Sequence, residues 1–212
     1  MLETIPRTKL ILVTATLLWL AGTAFAMNRL SQFEDTAGRS GHPPLHWQHS
    51  ATVALKPTKP TVIMLVHPQC PCSRASLREL NRLVALCPNR ASFLVLFLKP
   101  SGYPQAWVNT DLWRQASSIP GVTARVDDGG EIAQRFGAAT SGDTLLYASD
   151  GRLLYEGGLT GARGHEGDNA GLSAVEALLL GTSKTEIRKP VYGCPMTANR
   201  QTAMLGGRAW LP

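Results

Sequence analysis

Aromatic residues make up only 7% of the 212-residue chain and charged residues only 17%, and its 21 Lys and Arg never gather into a run. A nucleic-acid groove needs basic residues concentrated on one face, so this scatter excludes nucleic acid as the expected partner. The net charge of +6 and the pI near 9.4 fit a solvated surface, or attraction to an anionic membrane face. No repeat and no low-complexity segment appears. What remains beyond the N-terminal apolar stretch is enough for one domain with a proper core, not two.

Charge is absent between Leu10 and Met27, directly after the basic residues Arg7 and Lys9. Two readings compete. A secretory signal would have its apolar core at Leu10–Leu20 and a small-residue cleavage site at Ala24-Phe25-Ala26. A signal anchor would use all of Leu10–Met27, about 27 Å of helix, just long enough for a thin or locally thinned bilayer. A buried helix of a soluble domain fits the basic flank and unbroken apolar run poorly. Basic residues before the apolar stretch hold the N-terminus in the cytoplasm, so everything after residue 27 lies outside it. We favour the uncleaved anchor. The expected organisation is an anchor or signal over 1–27, a linker or loop over 28–59, a folded domain over 60–181, and an irregular tail over 182–212.

The linker is polar and rich in Gly, Pro and His; its Gly38-Arg39-Ser40-Gly41-His42-Pro43-Pro44 reads as a tether or loop lying over the domain. A short edge strand is expected at Thr52–Leu55. Thr61–Val66 is a continuous apolar, β-branched run, the pattern of a strand buried on both faces. It feeds His67-Pro68-Gln69-Cys70-Pro71-Cys72-Ser73 and then a helix ending by Pro88. On that helix Leu77, Leu80, Leu83, Val84 and Cys87 share one face, and Arg74, Arg78 and Arg82 another. A second buried strand is expected at Ser92–Leu98, the crossover making the pair parallel. Pro104 opens a helix with Val108, Leu112 and Ala116 in line, stopped at Pro120-Gly121. A third strand follows at Val122–Val126. Asp128 and Glu131 read as a capping box for a short helix ending at Phe136-Gly137. Thr144–Tyr147 and Arg152–Tyr155 flank Asp150-Gly151 as a hairpin. A glycine-rich loop leads to a last helix from about Ala170 to Leu180.

Four cysteines are present: Cys70, Cys72, Cys87 and Cys194. Two thiols one proline apart, between a buried strand and a helix N-terminus, are placed for redox chemistry. The helix start supplies unpaired N–H groups and partial positive charge that stabilise a thiolate, and Arg74 with the basic stripe behind it pushes the same way. A disulfide across one residue closes a tight ring, so an oxidising, easily reduced couple is expected. Cys87, on the apolar face of its helix, reads as a buried small hydrophobe. Cys194 has two readings: a bridge to Cys87, or a third redox thiol on a tail folded back over the site. His42, His46 and His49 read as solvated tether residues rather than a metal site. Trp107 and Trp113 read as core or surface aromatics.

The stretch Leu65–Ser73, together with Ala133–Gly142 and the hairpin after it, resembles thioredoxin-like proteins. More narrowly, Cys70-Pro71-Cys72-Ser73, the Gly-Gly-x-Thr-x-x-Arg-Gly-His-x-Gly-Asp-Asn stretch at Gly157–Asn169, and Gly193-Cys194-Pro195 are similar to the bacterial membrane-anchored group called RedB. The resemblance covers most of residues 60–196. It implies an α/β thioredoxin-like fold, a central mixed sheet flanked by helices. It also implies a place at the bacterial inner membrane, with the domain facing the periplasm or cell exterior. Two departures from ordinary thioredoxins stand out. The spacing is Cys-x-Cys, and Asp143 occupies the position of the usual cis-proline before Thr144. A negative charge at Asp143 would raise thiol pKa values.

In such a fold the last hairpin strand runs parallel to the strand carrying the cysteines, so the loop Gly157–Asn169 leaves from the same sheet edge. Arg163, His165 and Asp168 are thereby expected to face the pair. Arg163 would hold a thiolate or a substrate carboxylate, and His165 would relay a proton. The competing reading is a loop that caps the last helix through Asp168 or Asn169. The expected function is thiol–disulfide exchange. Cys70 attacks, Cys72 resolves, and Arg163 and His165 tune the site. No cofactor is needed beyond the thiols, and the partners are exported protein thiols or disulfides, or a membrane thiol donor. Two alternatives remain: a copper-handling module akin in outline to Sco-type proteins, using Cys70, Cys72 and His67, and a thioredoxin-fold interaction domain without catalysis.

Overall fold

The computed structural model describes residues 6–47, 58–183 and 185–196, and the chain divides after Thr36 into two compact units. The strand expected at Thr52–Leu55 and His49 lie outside the described residues.

The first unit is helix α1, Arg7–Asp35, whose 29 residues extend about 43 Å. It runs on past Met27, and no residue of it is buried. The three threonine hydroxyls within the apolar stretch turn inward: Thr14, Thr16 and Thr23 donate to the carbonyls of Leu10, Leu12 and Trp19 at 2.6, 2.9 and 2.9 Å. Polar groups satisfied within the helix, along the uncharged stretch Leu10–Met27, are what a bilayer interior demands. By length and composition α1 can cross a membrane.

The second unit is built on the β-branched run that the sequence marks as a buried strand. That strand is β1, Thr61–Val66, and every residue of it is buried. It continues through α2, Ser73–Leu86, into β2, Ser92–Lys99, and then through α3, Asp111–Ser118, into β3, Val122–Asp128. These three strands are parallel. After a short α4, Glu131–Arg135, the chain returns as the antiparallel hairpin β4, Asp143–Tyr147, and β5, Leu153–Gly157. It ends with α5, Ala170–Leu180, and a two-residue strand β6, Ile187–Arg188, parallel to β5. The strand order is β3-β2-β1-β4-β5-β6.

Alternation along the strands builds a core on each face. Val62, Met64 and Val66 of β1 pack with Leu77, Leu80 and Leu83 of α2 and Leu172 and Val175 of α5. Ile63 and Leu65 point the other way, toward Ile132 and Phe136 beside α4 and toward Trp47. Trp47 belongs to the glycine- and proline-rich segment, which lies over this face. His42 N–H donates to Gly137 (3.0 Å), Tyr147 O–H to the Pro44 carbonyl (2.9 Å), and the Trp47 ring meets Phe136 and Tyr147 edge-on. The fold is thus a thioredoxin-like α/β domain, a mixed sheet flanked by helices.

Two local expectations differ. The helix opened by Pro104 is broken: a 3-10 turn at Gln105–Trp107 precedes α3, whose N-terminus is capped by the Thr110 side chain accepting from Trp113 N–H (3.4 Å). The Asp128 capping box does not form, because Gly130 is the N-cap and has no side chain. Asp127, one residue earlier and buried, accepts instead from the N–H groups of Ile132 (2.9 Å) and Ala133 (2.8 Å).

Candidate functional site

β1 ends at Val66, and two tight turns carry the chain into α2. Cys70 N–H donates to the His67 carbonyl (3.0 Å), and Ser73 N–H to the Cys70 carbonyl (3.1 Å). Cys70 therefore sits at the mouth of the helix, buried, with Cys72 half-buried at the N-cap in helical conformation. The turn is clamped by Ser141, a residue that no sequence pattern singles out. Its hydroxyl accepts from His67 N–H and lies 2.7 Å from the Ser73 hydroxyl.

The third sulfur at the site comes from the tail. Cys194 Sγ lies 2.9 Å from Cys70 Sγ, Cys194 N–H donates to Cys70 Sγ (3.4 Å), and the sulfurs of Cys70, Cys72 and Cys194 all fall within 4.8 Å of one another. Main-chain pairing fixes the tail there. Ser141 N–H donates to the Cys194 carbonyl (2.7 Å) and Met196 N–H to the Ala139 carbonyl (2.9 Å), with Thr140 and Pro195 in an antiparallel bridge. Gly193 is required by that approach, since a Cβ on it would run into the Ser141 carbonyl oxygen.

Of the two readings of Cys194, the bridge to Cys87 is thereby overturned. Cys87 closes the far end of α2, a helix about 21 Å long, and is fully buried in the core. All four thiols are free.

The electrostatics separate the three sulfurs. Hydrogen bonding from Cys194, opposed by burial and helped by Ser73, holds the Cys70 thiol well below the ordinary range. The same contact, together with burial, pushes Cys194 up. The hydrogen bond between the two sulfurs (2.9 Å) thus favours ionisation of Cys70 over Cys194. Cys72 is raised by burial and by the Cys70 charge, and is pulled back by Arg163. The basic stripe does not contribute as expected. Arg74, Arg78 and Arg82 are exposed and spent on ion pairs with Asp111, Glu166 (2.5 Å) and Asp168 (2.9 Å).

Asp143 corrects a second expectation. It is fully buried opposite Leu65, and burial, with the Glu156 carboxylate nearby, pushes its pKa up to about 8. It is protonated at neutral pH, so no negative charge reaches the thiols from this position. No cis peptide bond occurs among the described residues.

β5 runs parallel to β1, each being antiparallel to β4, so the glycine-rich loop does leave from the cysteine edge. Arg163 hydrogen-bonds the Cys72 side chain and donates to the Gly193 carbonyl. His165 is exposed, its Nδ1 3.1 Å from the Arg163 carbonyl oxygen. Asp168 is drawn to Arg82, away from the sulfurs, and Asn169 caps α5 by accepting from Leu172 N–H (2.8 Å). The loop is held to α2 by Glu79, which accepts from Gly167 N–H (2.7 Å). His67 stays near Cys70 with its pKa lowered by burial, while its Nδ1 accepts from Gln69 N–H (3.2 Å) and its ring meets Trp107. The third donor beside the pair is the Cys194 sulfur, not a His67 nitrogen.

No family model matches the chain, and no curated protein matches it in sequence. Solved structures do. An uncharacterized conserved protein from Geobacillus kaustophilus is 21% identical with a TM-score of 0.55, over 77% of this chain and 92% of the other. A hypothetical protein from Sinorhizobium meliloti 1021 is 21% identical with a TM-score of 0.51, over 77% and 96%. A thioredoxin-like protein in its oxidized form is 12% identical with a TM-score of 0.45, over 69% and 98%. At these identities the likenesses are ones of fold alone.

Proposed function

We propose that this is an extracytoplasmic thiol–disulfide redox protein of the RedB-like group, held at the bacterial inner membrane by α1, with its chemistry at Cys70-Pro71-Cys72. The observation that carries the reading is the Cys70 sulfur at the mouth of α2, 2.9 Å from the Cys194 sulfur, with hydrogen bonds from Cys194 and Ser73 lowering its pKa. Only a thiolate attacks a disulfide, so a lowered Cys70 pKa makes the nucleophile available near ambient pH. Cys72 and Arg163 line the approach, and His165 stands at the exposed rim as the proton relay. The partner is an exported protein disulfide or a membrane thiol donor. Uncleaved α1 keeps the domain near that donor; cleavage after Ala26 would release it. The test is dithiothreitol-driven reduction of a disulfide-bonded peptide by the full chain in detergent micelles. Cys70→Ser should fall to the uncatalysed rate while Cys87→Ala keeps the wild-type rate. A Cys70→Ser protein with full activity would end the redox reading.

A second reading draws on the three sulfurs within 4.8 Å, a soft donor set suited to Cu(I). Titrating the reduced chain with Cu(I) against a chelator separates the two. Tight one-to-one uptake lost in Cys72→Ser would favour copper handling, and weak uptake would favour exchange.

A further inference from the structure

We infer that Cys194, not Cys72, resolves the mixed disulfide, so that the working redox couple is Cys70–Cys194 and its second half is delivered by the C-terminal tail. This deepens the redox reading above and rests on it.

Geometry decides between the two candidate partners. The Cys194 and Cys70 sulfurs, 2.9 Å apart, stand within about an ångström of bonding distance. Cys72 is also near, its sulfur within 4.8 Å of the Cys70 sulfur, but it is held in helical conformation at the N-cap of α2. A Cys70–Cys72 bond would close across a single residue, a tight ring inside the turn that the Ser73 N–H to Cys70 carbonyl bond (3.1 Å) holds. Closing Cys70–Cys194 requires only a small shift of a tail already docked before the sulfur by the Arg163 bond to the Gly193 carbonyl and after it by the Ser141 and Met196 hydrogen bonds.

The charges change in the right order. While Cys70 is a thiolate, its negative charge and hydrogen bond keep the proton on Cys194. The Cys70 thiolate attacks a substrate disulfide R–S–S–R′, the Cys70–S–R bond forms, and R′–S⁻ leaves. Cys70 now bears no charge, so the main influence raising Cys194 is gone, while the positive charge of Arg163 remains to favour its ionisation. Cys194 gives its proton to solvent and attacks the Cys70 sulfur. The Cys70–Cys194 bond forms, the Cys70–S–R bond breaks, and R–S⁻ leaves and is protonated. Two electrons have passed from the protein dithiol to the substrate, and a dithiol donor returns the couple.

The test uses the full-length reduced protein in detergent micelles, mixed with oxidised glutathione, quenched in acid and mapped by mass spectrometry without reduction. The wild type should show a Cys70–Cys194 peptide pair as the first intramolecular disulfide. Cys194→Ser should accumulate glutathione on Cys70 and resolve it at least tenfold more slowly, whereas Cys72→Ser should still form the Cys70–Cys194 pair as its first intramolecular disulfide. Gly193→Ala keeps every thiol but drives the tail off the Ser141 carbonyl, and should slow resolution in the same direction. A first disulfide between Cys70 and Cys72, formed equally fast in Cys194→Ser, would overturn the inference and leave the redox reading standing. Failure of Cys70 to take up glutathione at all would overturn both.

Discussion

The guanidinium of Arg163 donates to the main-chain carbonyl of Gly193, joining the loop after β5 to the residue that precedes Cys194. The same side chain hydrogen-bonds Cys72, and its charge lowers the pKa of both Cys72 and Cys194. Arg163→Ala should therefore loosen the tail and leave both thiols harder to ionise. A charge-assisted hydrogen bond of ~1.5 kcal/mol corresponds to roughly tenfold faster opening, read as hydrogen exchange at the Met196 amide that pairs with Ala139. Arg163→Lys keeps the charge and should restore thiol ionisation more fully than tail protection. Unchanged Met196 exchange in Arg163→Ala would show that the clasp does not hold the tail.

Asp143 makes stability pH-dependent in a direction opposite to an ordinary surface carboxylate. The unfolded chain loses this proton near ~3.9, while the folded chain keeps it to about 8. Between those values the folded state binds more protons, so stability falls as pH rises from ~4 to ~8, by an amount on the order of 2–5 kcal/mol. Glu156, raised by burial and drawn back down by Arg188 and His42, adds the same sign. The urea midpoint should be lower at pH 8 than at pH 5, and Asp143→Asn should flatten that slope. A wild-type midpoint that rises over this range would refute the assignment.

Cys87 should behave as packing. It is fully buried among Leu80, Leu83 and their neighbours, with burial as the largest cause of its raised pKa. Iodoacetamide should leave it unlabelled in the native protein. Cys87→Ala should cost ~1 kcal/mol as a small cavity, and Cys87→Ser ~1–3 kcal/mol as a buried hydroxyl, with the disulfide map unchanged in both. A cross-link found between Cys87 and Cys194 in the folded oxidised protein would contradict this placement.

The sheet was legible because its signals are local. The β-branched run at Thr61–Val66 and the turn at Asp150-Gly151 each announce their element within a few residues, and α5 starts and stops where Asn169 and Gly181 say it should. The candidate site was legible in part: Cys70, Cys72 and Arg163 come together, as strand direction requires. What the sequence could not supply is pairing between distant segments. Ser141 acts through His67 and Ser73, and Cys194 through Thr140 and Ser141, and no periodicity encodes either contact. Gly193 before Cys194 was the available clue, since a glycine there permits backbone to meet backbone. The stripe Arg74, Arg78 and Arg82 misled for a related reason: its carboxylate partners lie far along the chain.

A Cys70 thiolate held by Cys194 is tested most directly by the pH dependence of iodoacetamide alkylation at Cys70, resolved by mass spectrometry in the full chain. The depressed pKa of Cys70, caused first by the Cys194 hydrogen bond, predicts a rate that stays at its plateau well below pH 7. In Cys194→Ser the midpoint should move up toward the ordinary thiol value of ~8.5. A wild-type midpoint already near ~8.5, unmoved by that substitution, would contradict the thiolate and with it the redox chemistry assigned to this site.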